Sequence, residues 1–226
     1  MGQNAGIVAG RRTRKQFQTL GLGGGAGAVD LGRGNGLQSI ASAELGYAVL
    51  ALDTSASLLA ELRERAGALP IRCVQDDLCV FPAYLDGPAQ VIVCMGDTLT
   101  HLPTRASVDQ LLTDVAEHLA PAGVLVLSFR DYVSSELAGT TRFIPVRSDD
   151  HRILTCFLEY GPDTVEVHDL VHERDAHAWR MAVSRYRNLR LSPHAIAMRL
   201  DAVGLTVRFF TTERGLATLV ASRPAG

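Results

Sequence analysis

Lysine is almost missing from this chain: Lys15 stands alone among 22 basic residues, and the remaining cations are arginines. That skew reads as coding bias and carries no function. A basic surplus is missing as well. With 22 basic against 24 acidic side chains the formal charge is −2, which argues against a domain built chiefly to hold nucleic-acid phosphate. No stretch approaches the ~20 consecutive apolar residues that cross a bilayer. Residues 1–15 are basic but lack the apolar segment of a secretory signal, and Gly6 stands where a myristoylation signal has Ser or Thr. The four cysteines, Cys73, Cys79, Cys94 and Cys156, form no Cys-x-x-Cys pair. The expectation is a cytoplasmic protein with free thiols and with neither nucleic acid nor membrane as partner.

What is present suits one domain with a full core: 226 residues, 47% of them hydrophobic. Residues 1–27, with Arg11, Arg12, Arg14, Lys15 and a glycine-rich stretch, read as a lead into the fold, and 28–226 as the folded domain. Apolar runs at 28–31, 48–52, 71–74, 90–95 and 124–129 read as buried strands. Between them lie amphipathic helices. One covers about 37–45. A second, capped by Thr54 or Ser55, carries Leu58, Leu59 and Leu62 to a stop at Gly67. A third opens at Thr104, carries Val108, Leu111, Leu112 and Val115, and ends at Pro121 and Gly123. Strands alternating with helices imply right-handed crossovers and a parallel sheet covered on both faces.

Towards the carboxyl end the rhythm breaks. A helix opened by Ser192 and Pro193 precedes strands at 207–211 and 216–222, joined through Glu213-Arg214-Gly215. So short a link makes a hairpin, and the last strand must run antiparallel. Within 131–191 three strands, 152–160, 164–172 and 179–191, read as an antiparallel insertion walling a pocket. The expected fold is α/β: a Rossmann-like, seven-stranded, mostly parallel sheet with an antiparallel last strand and this β insertion after strand five.

The sharpest local signal is Asp30-Leu31-Gly32-Arg33-Gly34-Asn35-Gly36, where alternate glycines after a strand bring a ligand against the main chain. A dinucleotide site favours Gly-x-Gly-x-x-Gly, whereas Leu37 holds the place of its third glycine here. Asp30 would also face a pyrophosphate with its own negative charge. A phosphate-free cofactor bearing a sulfonium and an ammonium, S-adenosylmethionine, tolerates that carboxylate better. Asp53, ending the second strand, is placed to accept from both ribose hydroxyls.

On these residues the chain resembles the class I S-adenosylmethionine-dependent methyltransferases, particularly their small-molecule branch, over roughly residues 28–223. The resemblance implies that Asp30, Gly32, Gly34 and Gly36 cradle the methionine part, and that Asp53 and Thr54 meet the ribose. The loop of Gln75, Asp76, Asp77 and Leu78 would hold the adenine, with Asp77 accepting from its amino group. The loop from Cys94 through Met95, Gly96 and Asp97 to Leu102 would lie beside the methyl group. No Asn-Pro-Pro-Tyr sequence follows strand four, which disfavours methylation of bases or glutamine amides. The implied function is methyl transfer to an oxygen, nitrogen or carbon of a small molecule. The alternatives are a non-catalytic, cofactor-binding regulator with the same fold and, disfavoured by the glycine spacing, a nicotinamide-dependent oxidoreductase.

In-line transfer from a sulfonium needs alignment, exclusion of water and, for a protonated acceptor, a base. His101 is the first candidate base and Asp97 the second. Arg130 and Tyr132, after strand five, and Arg185 and Tyr186, on the insertion, are candidate acceptor contacts. Inward-facing arginines would favour an anionic acceptor. His168 and His172 suggest a metal, but on a strand of ~3.3 Å per residue they stand about 13 Å apart, so no metal is expected.

Overall fold

The computed structural model describes residues 17–18, 25–32, 36–134, 136–175 and 178–225. Arg33, Gly34 and most of the amino-terminal lead, its basic cluster included, lie outside the described residues. The main sheet has seven strands: β1 (Gly27–Leu31), β2 (Ala48–Asp53), β3 (Ile71–Gln75), β4 (Ala89–Cys94), β5 (Leu119–Arg130), β10 (Thr206–Glu213) and β11 (Leu216–Ser222). Their spatial order is β10-β11-β5-β4-β1-β2-β3. β1, β2, β3, β4 and β5 are parallel, and β11 runs antiparallel to both β5 and β10. The expected hairpin and reversed last strand are both present.

Strand alternation feeds two cores. Val29, Leu31, Ile92, Leu125 and Leu127 face one way, against α3 (Arg105–His118) and α4 (Pro193–Ala202). Ala28, Val49, Val91 and Val93 face the other, towards α1 (Leu37–Glu44). Burying a leucine fully is worth about 1.5–3 kcal/mol, so a sheet buried on both faces forces near-continuous apolar strands. Helix ends follow from local chemistry. Ser55 Oγ accepts from Leu58 N at 3.3 Å to open α2 (Ala56–Ala66), and Thr104 Oγ1 accepts from Ser107 N at 3.0 Å to open α3. Of the two proposed caps for α2, the structure uses Ser55.

Two boundaries differ from expectation. α3 ends at His118, and β5 already begins at Leu119, with a register shift against β4 and a positive φ of 58° at Ala122. Pro121 and Gly123 therefore lie in an irregular first part of the strand, not at a helix terminus. The insertion has four strands, not three: β6 (Phe143–Ser148), β7 (Arg152–Tyr160), β8 (Thr164–Arg174) and β9 (Trp179–Leu189), in that order across an antiparallel meander. Its inner face buries Leu158, Val165 and Val167 against Tyr132, and β9 packs against the 3-10 turn Thr98–His101.

Candidate active site

The chain runs from β1 outward to β3 on one side, then crosses back to place β4 and β5 on the other. Open α/β sheets bind ligands at the carboxyl edge of such a reversal. A cleft of ≈ 620 Å³ lies there, inside the range of about 300–1,000 Å³ typical of small-molecule sites. Its floor comes from successive strand ends: Gly32 after β1, Asp53 and Thr54 at β2, Asp76, Asp77 and Leu78 after β3. Met95, Gly96, Asp97 and His101 after β4 close the remaining side.

Gly32 has φ +66°, and its N–H donates to Leu52 O at 3.0 Å. Its carbonyl accepts from Thr98 Oγ1 at 3.1 Å, which ties the β1 and β4 loops together. Gly36, at φ +73°, opens α1 without a side-chain cap, and it is absent from the cleft wall. Asp30 is 2% exposed, faces α1 and accepts from Ser39 Oγ. It lies behind the cleft, so any effect on a ligand acts through charge and loop position.

Asp53 Oδ1 accepts from Ser55 N at 2.8 Å, which fixes the carboxylate where β2 turns into α2. Beyond β3, Asp76 accepts from its neighbour Asp77 N at 2.8 Å and from Tyr84 Oη at 2.5 Å. The tyrosine hydrogen bond, followed by that backbone one, holds the Asp76 carboxyl below the usual range. Asp77 Oδ1 caps the 3-10 helix Leu78–Tyr84 through Cys79 N at 2.8 Å. That short helix was not anticipated, and it supplies the tyrosine that orients the loop. Tyr84→Phe should let the Asp76 pKa rise, visible by NMR titration, and weaken S-adenosylmethionine binding about three- to tenfold in calorimetry.

On the β4 side Gly96, at φ +80°, donates its N–H to Ser128 Oγ at 2.9 Å. Asp97 Oδ1 accepts from Arg130 N at 3.0 Å, and its other oxygen lies 3.6 Å from Arg130 Nε. Asp97 thus pins the end of β5, and Arg130 is its counter-ion. His101 is exposed at the cleft mouth, its ring centroid 5.2 Å from that of Tyr186. Thr98 and Leu102, members of the loop expected beside the methyl group, also line the cleft, as do Gln38, Leu58 and Pro103, which were not expected there. Apolar spacing marked Leu58 only as a core residue, and no sequence signal distinguishes Gln38 and Pro103.

Two proposed acceptor contacts lie elsewhere. Tyr132 is 4% exposed, its hydroxyl accepting from Asn188 Nδ2 at 3.2 Å in the joint between insertion and domain. Its phenol fills the small core beneath the insertion and is withdrawn from the cleft. Arg185 pairs across the sheet with His168 and points to the outer face, because alternation on β9 turns Tyr186 towards His101.

The cleft's chemistry matches the expected cofactor. Asp53, Asp76, Asp77 and Asp97 line it, and no lysine or arginine does so among the described residues. Such walls repel a pyrophosphate and suit a ligand that presents a sulfonium, an ammonium, two ribose hydroxyls and an adenine amino group.

Comparison with known proteins agrees. A family model described as a methyltransferase domain matches residues 28–123. The glycine/sarcosine N-methyltransferase of Halorhodospira halochloris is 32% identical over 118 residues, 51% of this chain and 44% of that protein. The chain thus spans less than half the length of that curated relative. The CcbJ methyltransferase of Streptomyces caelestis superposes with a TM-score of 0.77 at 20% identity, covering 95% of this chain and 89% of the other. CalS10 of Micromonospora echinaspora, an amino pentose methyltransferase solved with S-adenosylmethionine bound, gives 0.75 at 18%, covering 97% and 90%. Motif, sheet order and comparison converge on the same region: residues 28–123 match a methyltransferase domain, and the chain shares its fold with S-adenosylmethionine-dependent methyltransferases.

Proposed function

We propose that the protein transfers a methyl group from S-adenosylmethionine to a nucleophilic atom of a small molecule by in-line displacement. The observation that carries this reading is the acidic cleft at the sheet's switch point, assembled from the ends of β1, β2, β3 and β4. The cofactor supplies the activated methyl group. Its methionine part is assigned to the glycine turn that opens at Gly32, and Asp30 adds negative charge behind that turn. Asp53 and Thr54 take the ribose, Asp76, Asp77 and Leu78 the adenine, and Met95 and Gly96 border the methyl. The insertion within residues 131–191 walls the acceptor side, with Tyr186 as its contact. The relatives named for glycine or sarcosine and for an amino pentose support a small acceptor. The four free thiols support a cytoplasmic setting, and no helix among the described residues is long and apolar enough to cross a membrane.

His101 is the general base in this reading. It lines the cleft, and among the described residues neither of its ring nitrogens is committed to a hydrogen bond. Asp97, engaged with Arg130, positions the loop and adds charge. Calorimetric titration with S-adenosylmethionine tests the cofactor; absence of binding ends the proposal. His101→Ala should lower turnover about tenfold to hundredfold while cofactor affinity stays constant. Unchanged turnover removes His101 from the chemistry.

A further inference from the structure

The acceptor side holds a carboxylate that nothing above has used. Asp169 sits on β8 directly opposite Cys156 of β7 and Ser184 of β9. Since Ser184 and Tyr186 share a face of β9, Asp169 lies on the same face of the insertion as the tyrosine that meets His101. Its one hydrogen bond from a described side chain comes from the Cys156 thiol, Sγ to Oδ1 at 2.9 Å, a weak donor. No cation lies within 4 Å of it among the described residues, whereas Asp149, Asp163 and Asp175 of the same insertion each have an arginine. Asp169 is half-buried, so leaving it without a counter-ion has an electrostatic cost that a ligand can offset.

Negative charge predominates around it. Burial, then Asp169, push the Tyr186 phenol up to about 12, and Asp97 adds to the effect against a smaller opposing influence from Arg130. The Cys156 thiol is raised to about 12 by burial and by its hydrogen bond to Asp169, again with Asp97 acting in the same sense and Arg130 against it. Two carboxylates therefore face one guanidinium, and that guanidinium is already paired with Asp97. The aromatic ring of Tyr186 adds its negative face.

We infer that the acceptor is a small amine taken up as its ammonium ion, and that Asp169, with the rings of Tyr186 and His101, is the site that recognises it. This rests on the methyltransferase reading and names its substrate class. A hydroxyl acceptor can donate a hydrogen bond to that carboxylate but cannot neutralise its charge as an ammonium does, and a carboxylate acceptor is repelled by it. After binding, the ammonium passes a proton to the His101 ring. The freed nitrogen lone pair then forms the new N–C bond while the electron pair of the breaking C–S bond stays on sulfur. The product leaves as a methylated ammonium and a neutral thioether.

The test uses matched probes and measures binding, not turnover: glucosamine against glucose, and benzylamine against benzyl alcohol. Each is titrated by calorimetry into the full chain saturated with S-adenosylhomocysteine. The wild type should bind the amine of at least one pair about tenfold or more tightly than its alcohol. Asp169→Asn, which keeps an acceptor for the Cys156 thiol, should abolish that preference and leave S-adenosylhomocysteine affinity unchanged. Asp169→Glu should retain part of it. Equal binding within both pairs, a preference that survives Asp169→Asn, or no amine binding by protein that does bind S-adenosylhomocysteine overturns the inference. Failure to bind S-adenosylhomocysteine at all refutes the methyltransferase reading itself and is recognised at the first titration.

Discussion

Gly32→Ala should abolish measurable S-adenosylmethionine binding and lower the melting temperature by about 5–12 °C, on the basis of roughly 2–4 °C per kcal/mol for a chain of this size. Two separate costs add. The residue holds φ +66°, where a Cβ costs roughly 1–2 kcal/mol. That Cβ would also stand 2.2 Å from Thr98 Cγ2 and 2.7 Å from Thr98 Oγ1. Thr98 has little freedom to withdraw: it is β-branched, and its hydroxyl donates to the Gly32 and Met95 carbonyls. Relief means pushing the β1 and β4 loops apart, and both loops line the cleft. Overpacking of this kind costs about 1–3 kcal/mol. The double variant Gly32→Ala, Thr98→Ala separates the terms. Removing the clash should recover about half of the lost stability and leave the dihedral strain. A single variant that melts and binds like wild type would contradict both the close approach and the cofactor's position.

The legible part of this molecule is what burial imprints on sequence. The central parts of β1, β2, β4 and β5 are covered on both faces, so they are mostly apolar and stand out from the amphipathic helices between them. The terminal hairpin was legible for another reason: a link of three residues leaves the chain no other path. β6 was not, because five of its six residues are exposed and no apolar period survives. The start of β5 was hidden by Pro121 and Gly123, residues that usually end helices and here accommodate a register shift. Within the cleft, the carboxylates at strand ends and Gly32 after β1 were recognisable because their chemistry is tied to a strand terminus. The acceptor side depended on cross-strand register. Which of Arg185 and Tyr186 meets His101 is decided by one residue of pairing between β8 and β9, and no local pattern encodes that. The inward turn of Tyr132 was hidden for a related reason, its burial being made by Leu158, Val165 and Val167, 26 to 35 positions further along the chain.

Asp53→Ala should weaken S-adenosylmethionine by several hundredfold. A carboxylate oxygen has two acceptor sites, so the Oδ1 that takes the Ser55 N–H can still take a ribose hydroxyl while Oδ2 takes the other. Charge-assisted hydrogen bonds are worth about 1.5–3 kcal/mol each, and every 1.4 kcal/mol is a factor of ten. Alanine also removes the acceptor for Ser55 N, at the residue that caps α2. Asp53→Asn isolates the ligand's share. Its amide oxygen can keep the turn, while its NH2 presents donors to a hydroxyl pair that needs acceptors. The asparagine variant should therefore melt close to wild type yet lose at least about a hundredfold in cofactor affinity, the loss expected of about 3 kcal/mol. Adenine alone, which has no ribose, should bind wild type and both variants alike. If Asp53→Asn held the cofactor as wild type does, the ribose would lie elsewhere, and the assignment of the β2 terminus to the nucleoside would fall with it.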